Sequence, residues 1–189
     1  MRKWFLLLWL LCPVAALYYH FNDGQDQLAR EKARVRLEGI RALAAAKEPD
    51  WAKVVEQYDL LLAELPANER PLVRHQIRHE KARARIEMLD VAGAITDLTT
   101  LLQESAAAHG DDHRTTRAIR ETLGKAFFYA TSLLKASGAT EEEWRPYAER
   151  TRQIFRYLAE HQDPAALAAY ERRVEADRGD HLRRAGRER

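Results

Sequence analysis

Apolar residues recur at intervals of three and four along most of the chain, and the breaks fall at proline, glycine, aspartate or asparagine. That is the pattern of amphipathic helices joined by short turns. A first helix is predicted over residues 25–47, with Leu28, Val35, Leu37, Ile40 and Leu43 as its apolar positions and Pro49 stopping it. Asp50 caps a second, in which Val54, Val55, Tyr58, Leu61 and Leu62 share a face and Pro66 closes the run. These two should form a hairpin. Asn68 offers a cap for a third helix, whose broad stripe takes in Val73, Ile77, Ala82, Ala84, Ile86, Met88 and Leu89. Asp90 caps a fourth, with Val91, Ala94, Ile95, Leu98, Leu101 and Leu102 at helical spacing, and so short a joint forces the pair antiparallel.

The stretch from His109 to Asp112 breaks the pattern, and Asp111 or Asp112 starts a fifth helix through Ile119, Leu123, Ala126, Phe127, Ala130, Leu133 and Leu134. Ser137-Gly138 ends it. Thr140 with Glu143 reads as a capping box for a sixth, lined by Trp144, Tyr147, Ile154, Phe155 and Leu158. Asp163-Pro164 opens a short seventh with Leu167, Tyr170 and Val174 on one side, and residues 178–189 read as a disordered charged tail. The fold class is therefore all-α.

The start of the chain follows another rule. Behind Arg2 and Lys3, residues 4–21 are apolar except for His20, with Trp4 and Trp9 near one end and Tyr18, Tyr19 and Phe21 at the other. This run sits at the lower edge of membrane-spanning length, and its aromatic ends suit bilayer interfaces. The basic head stays in the cytoplasm, so residues 1–22 are expected to be an uncleaved anchor in the lipid bilayer of the inner membrane. The helical domain, residues 23–177, then faces the periplasm. A signal peptide cleaved after Val14-Ala15-Ala16 is the alternative; lipid attachment at Cys12 fits poorly, because Leu10 and Leu11 precede it and Pro13 follows. Cys12 is the only cysteine, so no internal disulfide is available to the translocated part.

Charge narrows the function classes. Lys and Arg number 31 against 29 Asp and Glu, and Arg2 and Lys3 account for the whole excess. A nucleic-acid partner is not expected of so neutral a body. The glycines are scattered, so no phosphate loop arises, no small-molecule substrate is indicated, and no cofactor is expected. Ser105, Ser132 and Ser137 lie on helix surfaces or ends and not in a nucleophile turn.

Two histidine pairs have one-turn spacing. His75 and His79 sit on a basic face without the metalloprotease glutamate, whereas His109 and His113 flank Asp111 and Asp112 and are the better metal candidates. Arg74, Arg78, Lys81 and Arg85 fall at intervals of three and four on one helix face, a stripe able to receive an acidic segment of a protein partner.

Val54, Tyr58, Leu61 and Pro66 resemble the second helix of a tetratricopeptide repeat. Ala94, Leu98 and Leu101 repeat that spacing, Thr151, Phe155 and Leu158 repeat it again, and Leu123, Gly124 and Phe127 resemble positions of a first helix. The resemblance implies stacked hairpins in a right-handed solenoid, with a plain helical bundle as the alternative. Tyr58, Leu98 and Phe155 are spaced more widely and less evenly than the family's period of about 34 residues. The glycine at 124 is expected to mark a close helix approach. Tyr129-Ala130 through Leu133-Leu134, Glu142-Glu143-Trp144 and residues 156–160 resemble small anchored repeat proteins associated with MoxR ATPases and von Willebrand factor A domain proteins. That likeness implies a role in assembling or maturing an envelope complex. The expected function is a membrane-anchored scaffold without enzymatic activity; a periplasmic metal-binding protein, metallochaperone or metal-dependent hydrolase using the histidine pairs, or a structural subunit of a membrane complex, are the alternatives.

Overall fold

The computed structural model describes residues 11–13 and 25–161. Six helices follow one another over residues 25–161: α1 Gln25–Ala44, α2 Trp51–Glu64, α3 Pro71–Glu87, α4 Val91–His109, α5 Arg114–Ala136 and α6 Glu141–His161. No strand occurs among the described residues. The protein is all-α, as the periodicity predicts. The predicted seventh helix and the tail lie outside the described residues. So does the anchor, apart from Leu11, Cys12 and Pro13, which are helical and exposed. Among the described residues no helix is long and apolar enough to cross a membrane.

The chain divides into two compact units, Met1–Ala84 and Arg85–Arg189, with the boundary inside the last turns of α3. In the first unit α1 and α2 form the predicted hairpin. Asp50 caps α2, its carboxylate accepting from the Lys53 amide at 3.1 Å. Val54, Tyr58 and Leu61 point inward at 1%, 3% and 0% exposure, and Ile40 of α1 and Ile77 of α3 complete the apolar centre. α3 starts at Pro71, not beside Asn68. Proline suits the first helical position because its missing N–H has no intrahelical acceptor there.

In the second unit α4, α5 and α6 pack in sequence order, α5 against both neighbours. Asp90 caps α4, accepting from the Gly93 amide at 3.0 Å, and a Cβ at Gly93 would lie 2.3 Å from that carboxylate. Leu89, predicted on the apolar stripe of α3, is instead exposed in the joint with φ +66°. The Asp90 amide reaches back to the Arg85 carbonyl at 2.9 Å, which closes α3 in a Schellman-like turn and forces Leu89 left-handed. α5 is capped by His113, whose Nδ1 accepts from the Thr115 amide at 3.2 Å, in place of the expected Asp111 or Asp112. Gly124 does mark a close approach: a Cβ there would meet Ile154 at 2.9 Å and the Phe155 ring at 3.1 Å. Thr140 and Glu143 join at the start of α6, the Thr140 amide donating to Glu143 Oε2 at 2.7 Å, and that bond holds the Glu143 carboxyl below its usual range.

Leu98, Leu101 and Ile119 are fully buried, and Ala94, Leu123, Phe155 and Leu158 surround them. Phe127 is half-buried, its ring 6.1 Å from that of Tyr147. Ser105, expected on the surface, is fully enclosed and shares a hydrogen bond of 2.8 Å with the equally buried Thr116.

Candidate functional site

α3 carries the basic stripe, and its cations are spent within the chain. Arg74 donates to the carbonyls of Leu65 and Pro66 at 3.1 and 2.6 Å. Those oxygens belong to the end of α2, so the guanidinium caps that terminus. Lys81 pairs with Asp59 of α2 at 2.5 Å. Arg85 holds Asp97 of α4 at 2.8 Å and lies 3.6 Å from Asp90. Arg78 is engaged as well. Within the first unit the stripe therefore works as a set of ties from α3 to α2, and Arg85 supplies the corresponding tie in the second.

Glu80, between these cations on α3, organises more than any of them. Its carboxylate receives Arg41 of α1 through Nε at 3.0 Å and Nη2 at 2.5 Å, and Tyr58 of α2 through its hydroxyl at 3.0 Å. One side chain thus joins three helices. Burial first, and then the Glu80 charge, push the Tyr58 phenol well above its ordinary value, so it stays a donor across the physiological range. Neighbouring pairs extend the network: Arg36 meets Gln57 at 3.3 Å and also Glu64, while Arg30 meets the buried Glu69 at 3.3 Å. The sequence flags Tyr58 as a repeat-core position but gives no sign of Glu80, because its two partners lie 22 and 39 residues away.

A second polar column forms around the α4–α5 joint. Arg120 of α5, its side chain 10% exposed, grips the Asp111 carboxylate, donates to the Asp111 carbonyl at 3.3 Å and lies 4.3 Å over the Tyr157 ring of α6. His161 stacks on Tyr157 at 4.1 Å. The expected metal candidates stand beside this column: His109 and His113 have ring centroids 5.0 Å apart, but His113 uses Nδ1 as a helix cap and Asp111 is held by Arg120. Among the described residues no group of three or more His, Cys, Asp or Glu side chains converges on a metal position. His75, read as part of a solvated face, is buried at 6% exposure on α3.

Besides Leu89, the described part of the second unit exposes large apolar side chains on α5 and α6. Tyr129 and Leu133 of α5 are 48% and 45% exposed, and Tyr147 of α6 is 36% exposed. Lys135 sits 4.3 Å over the Trp144 ring nearby. Tyr129 and Leu133, four residues apart, share a side of α5 near its C-terminal end, and Tyr147 lies near the start of α6, its ring 6.1 Å from that of Phe127. The arrangement offers large amphipathic rings with little conformational freedom to lose on docking, the composition of protein-binding surfaces. Periodicity puts Leu133 and Tyr147 on apolar faces, and both are exposed.

Comparison with protein-family models, with curated proteins and with solved structures gives no match, so the tetratricopeptide likeness rests on residue spacing alone.

Proposed function

We propose that the protein is a membrane-tethered helical scaffold of the bacterial envelope that binds protein partners by surface recognition. The observation that carries this reading is the end of the α5–α6 hairpin, where Tyr129, Leu133 and Tyr147 are exposed while the cations of the α3 stripe are engaged within the chain. A docked partner gains apolar burial at these rings, whereas the basic stripe on α3 would have to give up its own ties first. The apolar run at residues 4–21 behind Arg2 and Lys3 supports a single-pass tether with the helices on the periplasmic side. Tethering raises the effective concentration of the scaffold near membrane partners. An accessory role in assembling or maturing an envelope complex is what the likeness to MoxR-associated proteins adds.

The test is site-directed photocrosslinking of the full chain in intact cells, with a photoreactive phenylalanine analogue in place of Tyr129, Leu133 or Tyr147. A discrete heterologous adduct from these positions, absent when the analogue replaces Arg152 on the exposed side of α6, is the expected result. Equal, non-specific labelling from all four positions counts against the docking surface. Protease added to intact spheroplasts checks the topology separately: residues 25–161 should be digested, and full protection contradicts the periplasmic placement.

A further inference from the structure

α1 has two apolar sides, and among the described residues only one of them is covered. Ile40, 2% exposed, turns toward the interior of the first unit, with Ala29, Ala33 and Leu37 partly covered on the same side. The other side carries Leu28, Val35 and Leu43, which are 51%, 63% and 43% exposed. At 100° per residue Leu28 and Val35 lie nearly above one another, with Gly39 and Ala42 beyond them on the same line, all exposed. A Cβ built at Gly39 meets nothing within 4 Å, so the stripe is open along its centre. It runs the length of the helix and is too continuous to be scattered surface leucines.

The flanks of this stripe differ in sign. Glu31 and Glu38 border one side, and Arg34 approaches both, at 3.6 and 3.9 Å, leaving that flank net acidic. Lys32 and Arg36 border the other; Arg36 pairs with Glu64, on which Lys32 also acts, leaving that flank net basic. Two helices packed face to face about a two-fold axis meet opposite flanks when they run parallel and like flanks when they run antiparallel. Antiparallel pairing sets acid on acid and base on base. Parallel pairing sets each acidic flank on a basic one.

We infer that α1 is a homotypic interface, joined to α1 of a second copy in parallel and in register, Leu28 on Leu28 and Val35 on Val35. Gly39 and Ala42 let the backbones approach beyond Val35. The apolar contact is small for a specific interface, so the pairing is weak in dilute solution and is favoured wherever copies are concentrated. The inference does not depend on the aromatic surface of the second unit or on what docks there.

Cysteine crosslinking of the full chain in its host cells tests it, with Cys12→Ser as the background. Leu28→Cys and Val35→Cys should each give a disulfide-linked dimer under mild oxidation, at least tenfold above Arg34→Cys on the charged side of the helix. Adding Val35→Glu to Leu28→Cys should abolish the dimer with helical circular dichroism unchanged, because that side chain is exposed. If co-expressed Leu28→Cys and Leu43→Cys chains link to each other in preference to Leu28 with Leu28, the helices run antiparallel and the inference is overturned. Dimer yields at the level of the Arg34→Cys control overturn it too, whether lipid or another protein covers the stripe. Fractionation of the same cells reports the tether independently, since a soluble chain can still crosslink.

Discussion

The two units bury polar groups of different kinds. In the first, the enclosed polar residues are Glu69 and His75, and ion pairs run from helix to helix: Arg30 to Glu69, Arg36 to Glu64, Arg41 to Glu80 and Lys81 to Asp59. In the second, the enclosed polar residues are mostly hydroxyls. Thr122, Thr131 and Thr151 return their protons to carbonyls one turn back, and Ser105 meets Thr116. The ion pairs described there divide equally between those within one helix, Lys125 with Glu121 and Arg145 with Glu141 and Glu149, and those between elements, Arg85 with Asp90 and Asp97 and Arg120 with Asp111. A hydroxyl bonded within its own helix says nothing about which helix packs beside it, so in the second unit the selection falls to shape and to a few ties, Arg85 to Asp97, Arg120 over Tyr157 and Ser105 to Thr116. In the first unit, charge contributes to that selection.

The largest effect should come from the packed centre of the second unit. Leu98, with no exposed surface, sits among Leu101, Ile119 and their neighbours. Leu98→Ala should cost about 2–5 kcal/mol, the transfer term plus the cavity left behind. Hydrogen exchange read separately over residues 91–161 and 25–84 should locate the loss in the former. An equal loss of protection over residues 25–84 would show that the two units unfold as one, and the contrast between them would then have no energetic meaning.

Next in size is Glu80. Glu80→Ala leaves the Tyr58 hydroxyl buried without its acceptor and releases Arg41, at a cost of roughly 1–3 kcal/mol. The Arg41 contribution is small because that guanidinium is about half exposed. Raising salt to 1 M should weaken protection over residues 25–84 more than over 91–161, since exposed ion pairs are screened while hydroxyl bonds and apolar contacts are not. The phenol adds a pH arm. Its folded value is raised, so its contribution is intact below the unfolded value of about 10 and is lost as pH rises beyond it, when the unfolded chain ionises first. Tyr58→Phe should remove that alkaline slope from the first unit.

The hydroxyl pair gives the matching test in the second unit. Thr116→Val alone strands the Ser105 hydroxyl and should cost roughly 1–2 kcal/mol, as should Ser105→Ala alone. The double substitution removes both partners and should cost less than the sum, a coupling that thermal melts of the four variants measure. Additive costs would mean that each hydroxyl is satisfied elsewhere.

Local rules made much of this architecture readable. Asp50 and Asp90 cap because an aspartate three residues before an unpaired amide needs nothing from the rest of the fold. Leu61, Leu98 and Leu101 are buried where a 3.6-residue period puts them. The failures are non-local. Periodicity identifies an apolar face without saying whether a neighbour reaches it, so it puts Leu28, Val35 and Leu133 inward just as it does Ile40 and Leu123, although only the last two are buried. It equally read His75 and Ser105 as surface, because a polar residue on an inner face is recognisable only once its surroundings are known. The stripe from Arg74 to Arg85 is legible in the sequence as a row of cations, but Asp59, Asp97 and the Leu65 and Pro66 carbonyls that receive Lys81, Arg85 and Arg74 come from other elements. The Glu80 junction had no local signature.

Leu89 turns that lesson into the smallest and most pointed prediction. The turn after α3 needs a left-handed residue, a role usually given to glycine, and here a leucine holds φ +66° with 72% of its surface exposed. The conformation costs an L-residue roughly 1–2 kcal/mol, and the exposed side chain recovers little of it. Leu89→Gly should therefore stabilise the second unit by about 0.5–1 kcal/mol, the gain in backbone strain less the extra freedom glycine has when unfolded. Urea titration should show a higher midpoint at unchanged slope. A lower midpoint would mean that the leucine side chain packs on something that its exposure does not reveal, and its position, now explained by the Asp90-to-Arg85 bond alone, would need a second cause.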